Sequence, residues 1–235
     1  NNKIFRKKFD GSNSVTKFLS FNKPREIEKI KKILKIYNIS NKSILESNCG
    51  AGVVLDYLKK NNKLTCGLDH KIYEHHVRKK HLFFSDLKQL KNSKIKFDVI
   101  LSLSEIEHKY DPLKFIKILK NFLNKNGVLI FRMPNYDNIY KYFLDETFLK
   151  YDFRSSHNFY FSQKSADYLF RKLNLSVIAK NGINEYPINH FLKFLKKRKR
   201  VAHPFENIIR KNNNLKIIKN IEKNFISTSM IYIVG

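Results

Sequence analysis

The chain has 235 residues, 42% of them hydrophobic, with 47 Lys or Arg against 20 Asp or Glu for a formal net charge of +27. That length fits one α/β domain with modest insertions, and 20 Phe with 12 Tyr give ample material for a core. No stretch approaches the roughly 18 consecutive apolar residues of a membrane span, and two cysteines, Cys49 and Cys66, are too few for a disulfide framework and lack CxxC spacing.

In chain order, Pro24 to Tyr37 reads as an opening helix, with Pro24 in its first turn and Ile27, Ile30, Leu34 and Tyr37 at spacings of three and four. Residues 1–40 are expected to form an N-terminal helical cap. Short apolar strands and helical periods then alternate to about residue 180, the pattern of βαβ units and a mainly parallel sheet. The expected strands are Ser43–Glu46, Leu64–Asp69, Leu82–Ser85, Phe97–Leu103 and, after the Asn126-Gly127 turn, Val128–Arg132. A helix from about Gly52 to Lys60 links the first two. Another follows Asp111 as N-cap and Pro112 at its first position, turning Leu113, Ile116, Leu119 and Leu123 toward the sheet. Residues 136–161 are aromatic-rich without a clean period and read as a lid-like insertion. Ser162 caps a helix carrying Ala166, Leu169, Phe170 and Leu173, Leu175–Ala179 is a sixth strand, and Ser227–Val234 a last one. Between them, 185–225 reads as a basic helical insertion.

The positive charge favours phosphate-bearing partners, yet the lysines are dispersed rather than gathered into a stripe. The one dense run, Lys196 to Arg200, reads as a solvated helix end. Nucleic acid is therefore a minor alternative. The chain opens on Asn1 without the basic-then-apolar layout of a signal peptide, so a cytoplasmic setting with reduced thiols is expected. His70, His75, His76 and His81 crowd one region, but no Cys or carboxylate at ligand spacing accompanies them, and no metal is expected.

The chemistry concentrates in Ile44-Leu45-Glu46-Ser47-Asn48-Cys49-Gly50-Ala51-Gly52, where an acidic residue ends a buried strand and a Gly-x-Gly turn opens a helix. Glycines let the backbone approach a ligand, and the helix start leaves free N–H groups. A dinucleotide fingerprint needs a third small residue, but Val53, Val54 and Leu55 follow Gly52, and Glu46 would repel a pyrophosphate. A cationic nucleoside suits Glu46 better.

This segment resembles the acidic residue and Gly-x-Gly-x-Gly motif of class I S-adenosylmethionine-dependent methyltransferases, with Asn48 at the first glycine, a residue that tolerates left-handed backbone. Asp69 follows 23 residues after Glu46, near the roughly 20-residue offset of a ribose-binding carboxylate. Asp86 and Leu87 match the adenine-contacting position, and Phe97-Asp98-Val99-Ile100 to Glu107-His108 resembles the family's fourth strand and its Glu-His ending. The similarity spans about residues 40–180, through Met133-Pro134-Asn135. Its nearest flavour is the small-molecule group with ubiquinone-type O-methyltransferases and enzymes of surface-glycan clusters, which His157-Asn158-Phe159-Tyr160-Phe161-Ser162 and Asn189-His190-Phe191 also resemble.

The resemblance implies a Rossmann-like α/β fold, a mainly parallel seven-stranded sheet with an antiparallel last strand and helices on both faces. It implies S-adenosylmethionine as cofactor, held by Glu46, Asn48, Cys49, Gly50, Gly52, Asp69, His70, Asp86, Leu87, Ser102 and Leu103. It places the acceptor, a small molecule or glycan, by Glu107, Tyr160 and His190. Methyl transfer from a sulfonium asks mainly for alignment. A hydroxyl acceptor gains from a base titrating near neutrality, with His108 the first candidate and His157 the second. Three functions stay open: O-methylation of a small molecule or surface-glycan sugar, methylation of RNA or DNA, and a non-catalytic cofactor-binding scaffold.

Overall fold

The computed structural model describes residues 15–143, 155–185 and 215–235, together with Glu146 and Lys196. Its strands make the seven-stranded, mainly parallel sheet of a Rossmann-like α/β fold, flanked by helices. By compactness the chain divides into two units, Asn1–Phe97 and Asp98–Gly235.

The first unit carries β1 (Ser43–Ser47), β2 (Leu64–Leu68) and β3 (Leu82–Phe84) in the order β3-β2-β1, all parallel. Ile44 and Leu45 of β1 are fully buried, as parallel strands covered on both faces require. Parallel neighbours need a crossover, supplied between β1 and β2 by a helix at Val53–Leu58 that tightens into a 3-10 turn at Lys59–Asn61. The opening helix, Val15–Ile36, begins well before the expected start, with Pro24 inside it rather than at its first turn. A proline withholds one N–H from the helical ladder, and Pro24 is exposed, where water meets the carbonyl left unbonded. Ile30 and Ile33 bury fully, whereas Ile27, Leu34 and Tyr37 do so only partly.

In the second unit lie β5 (Leu123–Pro134), β6 (Val177–Ile183) and β7 (Ser229–Val234), and all of β4 (Phe97–Leu103) but its first residue. The order is β4-β5-β7-β6, and β7 runs antiparallel to both neighbours, with Leu129 opposite Val234 and Ile183 opposite Ser229. The helix Pro112–Lys120 starts as expected, Asp111 Oδ1 accepting the Lys114 N–H at 2.9 Å. So does Gln163–Lys172, where Ser162 and Ser165 cap each other reciprocally. Phe170 of that helix packs between Phe131 and Tyr232, with ring centroids 5.4 and 5.1 Å away.

Two strand boundaries differ from expectation. β5 begins at Leu123, because neither Asn126 nor Gly127 takes a positive φ and no tight turn interrupts the chain there. The sixth strand starts two residues late, at Val177, and a bulge between Val177 and Ala179 shifts its register against β7. Of the 185–225 insertion, the helix Leu215–Lys223 is seen. His190 and the Lys197 to Arg200 run lie outside the described residues, as does 147–154 of the lid-like segment.

Candidate functional site

The carboxyl end of β1 delivers Glu46 into a buried position, 5% exposed, and the chain then turns through three left-handed residues: Asn48 (φ 61°), Gly50 (φ 54°) and Gly52 (φ 79°). Asn48 therefore adopts the conformation a glycine would, one that asparagine reaches at lower cost than most side chains. Its N–H donates to Leu68 O at 2.8 Å, which pins the turn to the end of β2. At Gly50 a Cβ would meet nothing within 4 Å, so the backbone there borders open space. At Gly67 of β2 a Cβ would come 2.5 Å from Cys49 Sγ, so the absence of a side chain lets Cys49 tuck under the loop.

Asp69, just past β2, bonds back to this loop. Its Oδ2 accepts the Gly50 N–H at 2.6 Å, and its Oδ1 accepts the His70 N–H at 2.6 Å. Burial pushes the Cys49 thiol up, and the neighbouring Glu46 and Asp69 carboxylates push it further. Cys49 is thus a packed thiol rather than a nucleophile. Cys66 is likewise pushed up to about 12 by burial. The exposed His70 accepts the Ile72 N–H on Nδ1 at 3.3 Å. Asp86 caps the helix Leu87–Ser93, Oδ1 taking the Gln89 N–H at 2.8 Å, and Leu87 is 40% exposed beside it. This unit gathers Glu46, Asn48, Cys49, Gly50, Gly52 and Asp69 into one cradle with two carboxylates and no lysine or arginine among them. That donor set fits a cationic nucleoside such as S-adenosylmethionine and would repel a phosphate.

In the second unit, β4 ends in the buried Ser102 and Leu103, Ser102 Oγ donating to Glu105 Oε2 at 3.1 Å. Ser104 then turns left-handed (φ 63°) into the 3-10 turn Ile106–His108, which presents Glu107, 1% exposed, and the exposed His108. The segment 156–159 is laced to this turn. Asn158 and Phe159 donate their N–H groups to Glu107 O at 2.8 and 3.1 Å, and Asn158 Nδ2 donates to His108 O at 2.9 Å. His108 Nδ1 lies 2.6 Å from Ser156 O, so this ring nitrogen donates there and Nε2 is the one not engaged by Ser156. The His108 and His157 rings meet edge to face at 4.8 Å, and Tyr160 lies 5.4 Å from His157. Four of the expected acceptor-side residues, Glu107, His108, His157 and Tyr160, are thereby one cluster.

Sequence reasoning missed Arg132. Near the end of β5 it donates Nη1 to Ser104 Oγ and Nη2 to Ser229 Oγ, both at 2.5 Å, and pairs with the buried Glu185. Ser104 N–H returns a bond to Arg132 O at 2.8 Å. A charged residue inside an apolar strand run was the available signal, since a buried charge needs a partner. The expected histidine crowd resolves differently. His75 and His76 are exposed, and His81 is buried between Thr65 Oγ1 at 2.7 Å and Asp56 Oδ1 at 3.1 Å.

Comparison with known proteins agrees with this fold. A family model described as "Methyltransferase domain" matches residues 18–180. A ubiquinone biosynthesis O-methyltransferase of Histophilus somni (strain 2336) is 27% identical over 111 residues, 41% of this chain and 47% of that protein. The chain spans about half the length of the curated relatives it matches so. Among solved structures, a Haloferax volcanii methyltransferase complex with the activator Trm112 superposes with TM-score 0.64 at 13% identity, covering 92% of both chains. Magnesium protoporphyrin IX methyltransferase of Synechocystis PCC 6803, solved with S-adenosylhomocysteine bound, gives TM-score 0.57 at 12% identity, covering 99% of this chain and 92% of that one.

Proposed function

The chain belongs to the methyltransferase domain family and uses S-adenosylmethionine, and from that premise we propose that it O-methylates a small molecule or a sugar of a surface glycan. The observation that carries the cofactor half is the cradle of Glu46, the left-handed Asn48, Gly50 and Gly52, and Asp69 on the Gly50 amide. Glu46 would hold the ammonium group and Asp69 the ribose hydroxyls, after releasing Gly50. Asp86 and Leu87 would border the adenine, with His70 on the same unit. Bound there, S-adenosylmethionine supplies a methyl group on a sulfonium whose bond to sulfur is already activated.

Alignment of the acceptor is then the protein's main task. Glu107, His108 and His157 are the groups that position and activate the acceptor hydroxyl, with Tyr160 beside His157. Support comes from their place: ligands of open α/β sheets bind outside the carboxyl ends of strands, and the cluster follows the end of β4. The similarity to a ubiquinone O-methyltransferase favours a hydroxyl over an amine.

Calorimetric titration with S-adenosylmethionine and S-adenosylhomocysteine, on the native chain and on Glu46→Gln/Asp69→Asn, is the test. Binding by the native chain with a loss of more than about tenfold in the variant, roughly 1.4 kcal/mol, is expected. No binding by the native chain overturns the reading in favour of a scaffold.

A second reading, methylation of RNA or DNA, is favoured by the +27 charge. It requires nucleic-acid affinity that falls steeply with salt, which a gel-shift series at rising salt measures.

A further inference from the structure

We propose that Glu107, His108 and His157 together bind a divalent transition cation of the zinc, cobalt or manganese class, and that the cation activates the acceptor hydroxyl. The inference rests on the assignment of this cluster as the acceptor side. One donor atom from each of the three side chains lies within 4.8 Å of the other two, and among the described residues theirs is the trio so assembled.

Two imidazoles with one carboxylate are the ligand set of catalytic sites for borderline cations, which keep a coordination position open for a reactant. Adjacent ligands around tetrahedral zinc lie about 3.3 Å apart, given Zn–N distances of roughly 2.0–2.1 Å. The donors here therefore close by about 1.5 Å at most, within reach of side-chain rotation. His108 is exposed and His157 half-buried, which gives the ion a way in, while Glu107 is 1% exposed and supplies its charge from a low-dielectric side.

Two further features suit a ligating group. Metal-bound histidines usually donate their second ring nitrogen to a carbonyl or carboxylate, which fixes tautomer and orientation. His108 Nδ1 does this to Ser156 O at 2.6 Å, leaving Nε2 for the ion. The backbone bonds of Asn158 and Phe159 to Glu107 O, and Asn158 Nδ2 to His108 O, hold the two segments together before any ion arrives. The ordering cost of joining ligands 49 residues apart is thus met by folding rather than by binding.

Chemically, a cation lowers the pKa of a hydroxyl bound to it toward neutrality. The acceptor O–H proton leaves to bulk water and the oxygen pair forms the new O–C bond. As the methyl–sulfur bond breaks, its electron pair stays on sulfur. His108 then serves as a ligand rather than as the proton acceptor.

The test uses the whole chain, stripped with a chelator and titrated with Co²⁺, read by visible absorption, and with Zn²⁺, read by calorimetry. One ion per chain is expected, and His157→Ala and Glu107→Gln should each weaken it by more than about tenfold. Asn158→Ala, which loosens the His108 support while sparing all three ligands, should weaken it by about tenfold. The double variant His75→Ala/His76→Ala should bind like the native chain. No stoichiometric binding below about 1 mM, roughly 4 kcal/mol of affinity, overturns the proposal. So does binding lost in the His75/His76 variant but retained in His157→Ala. S-adenosylhomocysteine titration of the same samples keeps the two readings apart, since cofactor binding with no ion binding sinks only the cation.

Discussion

Gly67→Ala tests whether the proposed cofactor cradle depends on Cys49 lying under it. The added Cβ would stand 2.5 Å from Cys49 Sγ, 3.2 Å from Val77 Cγ1 and 3.3 Å from Leu55 Cδ1, all below ordinary contact distance. Val77 and Leu55 are fully buried and Cys49 is 7% exposed, so none of the three has open space to enter. Overpacking of this kind costs about 1–3 kcal/mol, a fall in Tm of roughly 2–12 °C for a chain this size. Relief comes most readily by lifting Cys49, which moves Asn48 and Gly50 with it, so affinity for S-adenosylhomocysteine should fall as well. Cys49→Ala in the Gly67→Ala background removes the sulfur and should restore stability, giving a coupling of about 1 kcal/mol or more. Thermal unfolding and calorimetric titration of the two single variants and the double variant make the measurement. Simple additivity of the two substitutions, or native cofactor affinity in Gly67→Ala, would refute the reasoning.

Two other outcomes are expected. Arg132→Met should destabilise by about 3–5 kcal/mol in urea unfolding, because it strips the cation from the buried Glu185 carboxylate. The Arg132→Met/Glu185→Leu pair should recover most of that loss, and equal instability of the two would contradict the ion-pair account. Acid should erode stability in two steps through the Asp56–His81 contact. Burial holds His81 below its ordinary value against the pull of Asp56. For Asp56, burial acts upward but hydrogen bonds from His81 and Lys80 outweigh it and leave it low. Both folded values lie below the unfolded ones, so both contributions are present above those values and are lost as pH falls, first below 6.5 and then below 3.8. Tm measured from pH 8 to 3 should therefore drop less steeply between pH 7 and 5 in His81→Gln than in the native chain, and parallel curves would exclude the role given to His81.

Much of the fold is written locally. β4 matches its expected span, Phe97–Leu103, because a run of buried apolar residues bounded by charge has few alternatives. The Asp111-Pro112 and Ser162 helix starts are legible for a similar reason, as a cap contacts only its own first turn. Glu46 and the left-handed loop were readable too, since their backbone demands fall within a few residues of one another, and Asp69 was read from its offset of 23 residues after Glu46. What the sequence could not yield is whatever depends on distant partners. The early start of Val15–Ile36 overrode a proline signal, and the register of β6 follows β7, which lies some fifty residues away in the chain. Arg132 found its partners on three other segments, at Ser104, Glu185 and Ser229. The union of Glu107 and His108 with His157 is likewise tertiary. Backbone amides of 158 and 159, with the Asn158 side chain on His108 O, bring a second imidazole to the first. Local propensity and patterning thus determined the elements and the left-handed turn after β1, whereas the side-chain cluster after β4 was decided by hydrogen bonds between segments that only folding brings together.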